Sequence, residues 1–413
     1  MKHTNHRADQ QGRTIEYPSP LHTASPLCGD MAIHWFDHCM RNHAKCSEHF
    51  ADSDRLPTRL IDVGPLDGTQ EPRLVLSSEL QGRPDVRYIT LSHRWASSVV
   101  LKLESTNIES LRRRIPLESL PQTFVDAIEV TRVLSVRYLW IDSLCILQDA
   151  IDDWQAQAAE MGRVYQNGLC NLAATGAAAA TGGSNKSGLF QERDPRWVTP
   201  NQIRIRYQGH DSVYTFVLPD LWSQWVSAST LNRRGWVLQE RMLSPRTLHF
   251  SNQLFWECRE MQACETYPDG LPGMAESLAK GTTVSCTEPN GSQIPATFKN
   301  WREECARDGK HFWNRIVESY GQCFITMPED RLVAIAGAAR LLQPLLCDDY
   351  IAGLWKKDLP WNLVWQHMNV VQYHQPPAKY RCTFCAPHPP HPIPNCRSTD
   401  KAYHRPLLVM GCA

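Results

Sequence analysis

The segment Arg137–Asp149, RYLWIDSLCILQD, constrains this chain more than any other, because its apolar run Tyr138-Leu139-Trp140-Ile141 delivers Asp142, Ser143, Cys145 and Gln148 together. An unbroken apolar run flanked by helical segments reads as a parallel strand buried on both faces, and ligands gather beyond the carboxyl ends of such strands. The same pattern occurs earlier at Arg87–Leu91, RYITL, which ends in Ser92, His93, Arg94 and Trp95. Between the two runs, Phe124, Ala127, Ile128, Thr131 and Leu134 recur at helical spacing. After Gln148, Trp154, Ala158, Met161 and Tyr165 share one helical face, with Asp152 and Asp153 suited to the helix start and Gly168 to its end. Leu169–Ala173 then reads as a third strand. The alternation predicts an α/β fold, a parallel sheet with flanking helices, and puts Ser92 to Trp95, Asp142 to Cys145 and Ala174-Thr175 on one sheet edge.

With 413 residues the chain exceeds the usual single-core size, so more than one unit is expected. Formal net charge is zero, which gives no electrostatic case for nucleic acid or an anionic membrane surface. The opening MKHTNHRADQQGR is too polar for a signal peptide, and no window approaches the ~18 apolar residues of a spanning helix. A cytoplasmic, reducing location is therefore expected. The 15 scattered cysteines fit mostly buried thiols and one metal site better than a disulfide framework.

YITLSHRW at Tyr88–Trp95, LPQTFVDAI at Leu120–Ile128, YLWIDSLCILQD at Tyr138–Asp149 and DDWQAQAAEMGRVY at Asp152–Tyr165 closely resemble the fungal heterokaryon-incompatibility (HET) domain. GLF at Gly188–Phe190, RGWVLQERMLSPRTLHF at Arg234–Phe250 and LFWEC at Leu254–Cys258 continue the resemblance in order, and EDRLVAIAGAA at Glu329–Ala339 and YIAGLW at Tyr350–Trp355 resemble the region after that domain. The resemblance implies non-self recognition after hyphal fusion, ending in programmed cell death. It implies other fungal proteins as partners, among them an allelic incompatibility partner, and homo-oligomers. It also implies a Toll/interleukin-receptor-like core with a flavodoxin-like sheet, and because some members of that wider group cleave NAD, it makes NAD the candidate substrate.

Such cleavage needs a carboxylate or other polar group to stabilise a cationic sugar. Asp142 is the best-placed acid, with Glu160 and Glu240 as further candidates; Ser92, His93, Arg94, Trp95, Ser143, Cys145, Gln148 and Gln239 are the expected ligand-binding set. Each has a plainer reading. Asp142 equally suits a helix cap, Cys145 a buried apolar residue, His93 and Arg94 surface ion pairs, and Gln239 and Glu240 partners for buried backbone. One departure stands out: three residues after the helix tryptophan, members commonly carry Glu where this chain has Gln157, which cannot ionise. A catalytic role for that Glu would leave this copy inactive, and a non-enzymatic signalling module or an accessory protein of a metabolic gene cluster are the alternative functions.

Near the start, Cys39, His43 and Cys46 lie at i, i+4 and i+7, so on one helix they share a face able to hold zinc, with Cys28 or His49 as fourth ligand. Cys382, Cys385, His388, His391 and Cys396 offer donors among prolines, which favour a mobile tail. The expected organisation is a polar lead over 1–56 with a short helix around Ile33–His49, a HET-like unit over 57–260, a linker over 261–300, helices around Trp301–Gln322 and Glu329–Leu346 within 301–365, and a disordered Pro/His/Cys-rich tail over 366–413.

Overall fold

Runs buried along most of their length become the strands of one eight-stranded sheet in the computed structural model, which describes residues 21–47, 55–95 without 84, 101–176, 188–199, 221–271 and 298–359. It also describes strand pairs at 4–8 with 14–18, 201–207 with 210–216, and 286–287 with 293–294. The sheet strands are β1 Arg59–Asp62, β2 Arg73–Leu76, β3 Tyr88–Ser92, β4 Tyr138–Trp140, β5 Asn171–Ala173, β6 Arg246–Phe250, β7 Leu254–Cys258 and β8 Gln262–Cys264. Their spatial order is β8-β7-β6-β5-β3-β4-β1-β2. The middle four, β6, β5, β3 and β4, are parallel, as the alternation of strand and helix predicts. Antiparallel hairpins finish both edges, β7 and β8 beyond β6, and β1 and β2 beyond β4.

The long helices are α1 Pro26–Asn42, α2 Gln122–Val133, α3 Ile151–Asn167, α4 Gly235–Leu243, α5 Trp301–Gly321 and α6 Val333–Leu346. The crossover from β3 to β4 and the one from β4 to β5 run in opposite directions along the sheet. Right-handed connections therefore put α2 and α3 on opposite faces. Helix α1 packs with α2, while α4 and α6 pack with α3. Gly168 ends α3, its N–H reaching the Val164 carbonyl.

The first helix corrects an expectation. Ser25 caps it through the Cys28 N–H at 3.3 Å and Pro26 fills its first turn, so it begins earlier than Ile33 and stops at Asn42 rather than His49. Its Trp35 is 1% exposed, packs 6.5 Å from the Trp256 ring and donates to the Pro268 carbonyl at 2.8 Å. The stretch expected as linker also contributes to the core at both ends. It opens with the buried edge strand β8 and closes on Lys299, whose buried ammonium donates to the Arg241 and Ser244 carbonyls at 2.7 and 2.6 Å.

A second core unites Leu238 and Met242 of α4 with Phe312, Trp313 and Ile316 of α5 and Leu342 of α6. Helix α6 reaches α3 at a glycine crossing: a Cβ on Gly162 would stand 2.9 Å from the Gly337 Cα, so only glycine permits this approach. The crossing brings the α5–α6 connection next to the ends of β3 and β4. Among the described residues, no helix is long and apolar enough to cross a membrane. The cysteine- and histidine-rich stretch past residue 380 and His49 lie outside the described residues.

Candidate functional site

At the carboxyl ends of β3 and β4 opens a cleft of about 680 Å³. Asp142 and Glu240 line it together with Trp95, Trp154, Trp236 and Arg234. Phe324 and Met327 of the α5–α6 connection close the other side and stand 72% and 56% exposed, so they form the rim. This connection is pinned to the start of α4: the Gly235 N–H donates to the Phe324 carbonyl at 3.0 Å, and the Phe324 N–H to the Arg233 carbonyl at 2.6 Å. A Cβ on Gly235 would meet Ile325 Cγ1 at 2.7 Å, which explains glycine there.

Glu240 is buried on α4 and receives the Ser92 hydroxyl in a short hydrogen bond. Burial raises its carboxyl to about 7; the Asp142 charge pushes the same way, while Ser92, Arg234 and Tyr165 oppose without cancelling it. Ser92 is held in turn by Asn171, whose Nδ2 donates to Oγ at 2.9 Å from the neighbouring strand β5. The result is a carboxyl that exchanges its proton near neutrality.

Asp142 stands at the mouth of β4. Its Oδ1 accepts the Ser143 N–H at 2.7 Å and its Oδ2 accepts the Trp95 indole N–H at 2.8 Å, and the following helical turn is preceded by Ile141 without a side-chain cap, so Asp142 does not take the capping role. His93 Nε2 lies 3.7 Å from Oδ1. Gln148 lines the cleft as well, its Nε2 fixed on the Ile146 carbonyl at 2.8 Å. Thus Trp95, Asp142, Gln148 and Glu240, proposed from three sequence segments, meet at one cavity.

Other expected residues sit elsewhere. His93 is buried edge-on against Phe124 at 4.8 Å, and desolvation lowers its pKa, so a neutral ring backs Asp142 rather than greeting an anion. Arg94 is exposed outside the lining. Burial pushes the Cys145 thiol up to about 12, which removes the thiolate a nucleophile or ligand would need. Ser92 acts from behind Glu240, and the Ser143 hydroxyl is buried outside the lining. Gln239 turns from the cleft to accept the Gly337 N–H at 3.2 Å, fastening α4 to α6. Glu160 bridges Arg163 at 2.5 Å, half-exposed on α3 and away from the cavity. Gln157 also turns away, donating to Thr58 Oγ1 at 2.9 Å, so the missing carboxyl at that position removes nothing from the cleft.

Arg234, Trp154 and Trp236 were not singled out as ligand contacts from the residue pattern, although all three fall in the quoted motifs. Their signal was a polar or aromatic residue at a helix start. Phe324 and Met327 carried no such signal, because only the docking of α5 and α6 brings them to the rim.

Far along the sheet, Cys39, His43, Cys46 and Cys258 converge, with one ligand atom from each lying within 4.8 Å of the others. The three residues near the start were expected to share a helical face. Instead α1 ends at Asn42, His43 is extended at its cap, and the following turn folds Cys46 back. The fourth donor is Cys258 of β7, not Cys28, whose thiol instead donates to Glu265 Oε2 at 3.3 Å.

Searches of curated proteins and of solved structures return no match to this chain. Residues 88–240 match the family model described as heterokaryon incompatibility protein (HET), a span that opens with β3 and closes on Glu240. The strand ends, Asp142 and Glu240 all fall inside it, and the match identifies a HET domain within this chain.

Proposed function

We propose that this HET-domain protein acts in heterokaryon incompatibility by cleaving the N-glycosidic bond of a nicotinamide dinucleotide in the cleft between α3, α4 and the strand ends. The observation that carries the reading is Glu240, a buried carboxyl raised to about 7 in a cleft that also holds a second carboxylate. Volume and lining suit a small molecule: about 680 Å³ falls within the usual range for ligand sites, with aromatic walls and few polar groups. Trp95, Trp154 and Trp236 offer faces to the rings, and Arg234 offers charge to the pyrophosphate.

Nicotinamide leaves as a neutral base, taking the bonding electron pair, while Asp142 stabilises the cationic ribose. Glu240 accepts a proton from the attacking water, whose oxygen bonds to the anomeric carbon. The products are ADP-ribose, nicotinamide and one proton. The spatial order of the parallel strands supports a flavodoxin-like, Toll/interleukin-receptor-like core. Numbered along the chain it runs 2-1-3-4, and the reversal between β3 and β5 lies beside Ser92.

Nicotinamide release by the purified chain at high concentration, and cellular NAD with viability after induced expression in a filamentous fungal host, test this reading. Asp142→Ala and Glu240→Gln are each expected to lower release by at least about 100-fold while the chain stays folded. Wild type that releases no nicotinamide and leaves cellular NAD unchanged overturns it. The exposed apolar rim formed by Phe324, Met327 and Ile151 favours a second reading, a groove that recruits a partner protein. Cell death with NAD unchanged, abolished by Met327→Asp, selects that reading.

A further inference from the structure

The cluster at the end of α1 joins residues more than 200 positions apart in sequence, since Cys39, His43 and Cys46 surround a thiol from β7. Cys39, Cys46 and Cys258 are buried, and His43 Nδ1 stands 3.3 Å from Cys258 Sγ. Three sulfurs and one imidazole nitrogen within 4.8 Å of one another match the donor set and number of a closed tetrahedral zinc site. Backbone and side chain around the cluster point the same way. The Met261 N–H donates to Cys258 Sγ at 3.2 Å, a contact that favours a thiolate.

Arg246 supplies an independent observation. It is 3% exposed, and among the described residues its guanidinium meets the Leu169 carbonyl at 3.2 Å, the Cys46 carbonyl at 3.1 Å and, through Nε, the Cys39 sulfur at 3.1 Å. A buried guanidinium set against two carbonyls and a cluster sulfur favours negative charge in the cluster. Three thiolates around one divalent zinc leave a net charge of about minus one, a charge complementary to the Arg246 guanidinium beside it. Zinc binding by three cysteines releases the thiol protons to solvent, so charge and protons balance.

We propose that Cys39, His43, Cys46 and Cys258 hold one zinc ion as a closed structural site that fastens α1 to the outer hairpin of the sheet. With four protein ligands the site has no open position for substrate. Its role is to fix the segment that carries Trp35 against Trp256. The surrounding contacts already draw these pieces together: the Lys45 N–H reaches Glu260 Oε1 at 2.7 Å, and Arg259 reaches the Lys45 carbonyl at 2.7 Å. The site is independent of the cleft chemistry.

Untagged full-length chain from zinc-replete culture, dialysed into metal-free buffer, is to be measured for zinc by mass spectrometry. About one zinc per chain is expected, falling below about a tenth in Cys258→Ser and unchanged in Cys28→Ser. Cobalt exchanged into the wild type should show the intense visible absorption of a tetrahedral centre with thiolate charge transfer. If Cys258→Ser does not fold, His43→Cys decides alongside the cobalt spectrum, because it keeps four donors and retains zinc. A wild-type chain without zinc and without the thiolate–cobalt band overturns the assignment, as does full zinc occupancy in folded Cys258→Ser.

Discussion

Glu240 and Glu257 are both buried glutamates, 5% and 0% exposed, yet their surroundings drive them in opposite directions. Glu257 lies on β7 and receives Arg241 through two hydrogen bonds at 2.8 and 2.9 Å, with the His249 ring at 3.2 Å and the Lys299 charge nearby. Although burial alone would raise it, Arg241 first, then His249 and Lys299, hold its carboxyl well below the usual range. His249 is itself kept neutral, lowered by burial to about 4, so it meets Glu257 as a hydrogen-bond partner rather than an ion. Glu240 has Ser92 and Tyr165 as neutral partners and the Arg234 charge as its cationic counterweight, and burial wins. Desolvation thus makes a proton-exchanging group where cations compensate it only in part. The fully compensated glutamate is structural, and the partly compensated one opens on a cleft.

Removing the compensation on the structural side should have the largest effect. Glu257→Gln leaves Arg241 and Lys299 buried without their anion, and the expected loss is about 3–5 kcal/mol in urea unfolding. A loss under about 1 kcal/mol would mean the two glutamates do not differ as described.

The pH dependence of stability sharpens the same contrast. A carboxyl raised in the folded state binds its proton more tightly there, so the stabilisation from Glu240 is complete below about pH 4.5 and is lost as pH rises through about 7. Glu257 has the opposite sign, its contribution present above the usual carboxylate range and lost on acidification. Glu240→Gln should therefore gain stability over wild type above neutrality, by roughly 3 kcal/mol relative to the difference at pH 5. Equal pH slopes for wild type and Glu240→Gln, measured by unfolding at several pH values, would show that Glu240 holds no extra proton.

The smallest effect concerns a residue that the family resemblance makes conspicuous. Gln157→Glu should leave nicotinamide release unchanged and cost about 1–2 kcal/mol, because its side chain faces Thr58 and has 9% exposure. A gain of activity would place position 157 in the reaction and weaken the case for Glu240.

Much of the frame was legible in the chain. RYITL, YLWI and LCNLA announced buried parallel strands, and the helical periodicity between them set the crossovers, because burial on both faces leaves an apolar run that little else produces. The edge pair β1 and β2 was not anticipated: each spans four residues, too short for a distinctive period. Asp142 and Glu240 were recognisable as polar residues in otherwise packed segments. Their ranking was not, since sequence placed Asp142 first and only the desolvated surroundings of Glu240 show where a proton near neutrality resides.

Sequence by itself determined the parallel core, the strand end bearing Asp142 and the likeness of residues 88–240 to the HET domain, because these follow from local periodicity and contiguous motifs. Tertiary structure alone decided that Gln157 and Gln239 turn from the cleft, that Phe324 and Met327 close it, and that Cys258 rather than Cys28 completes the thiol cluster. Those outcomes depend on which way a helix is rotated and on contacts between segments more than 200 residues apart, and neither is encoded in the spacing of any one stretch of chain.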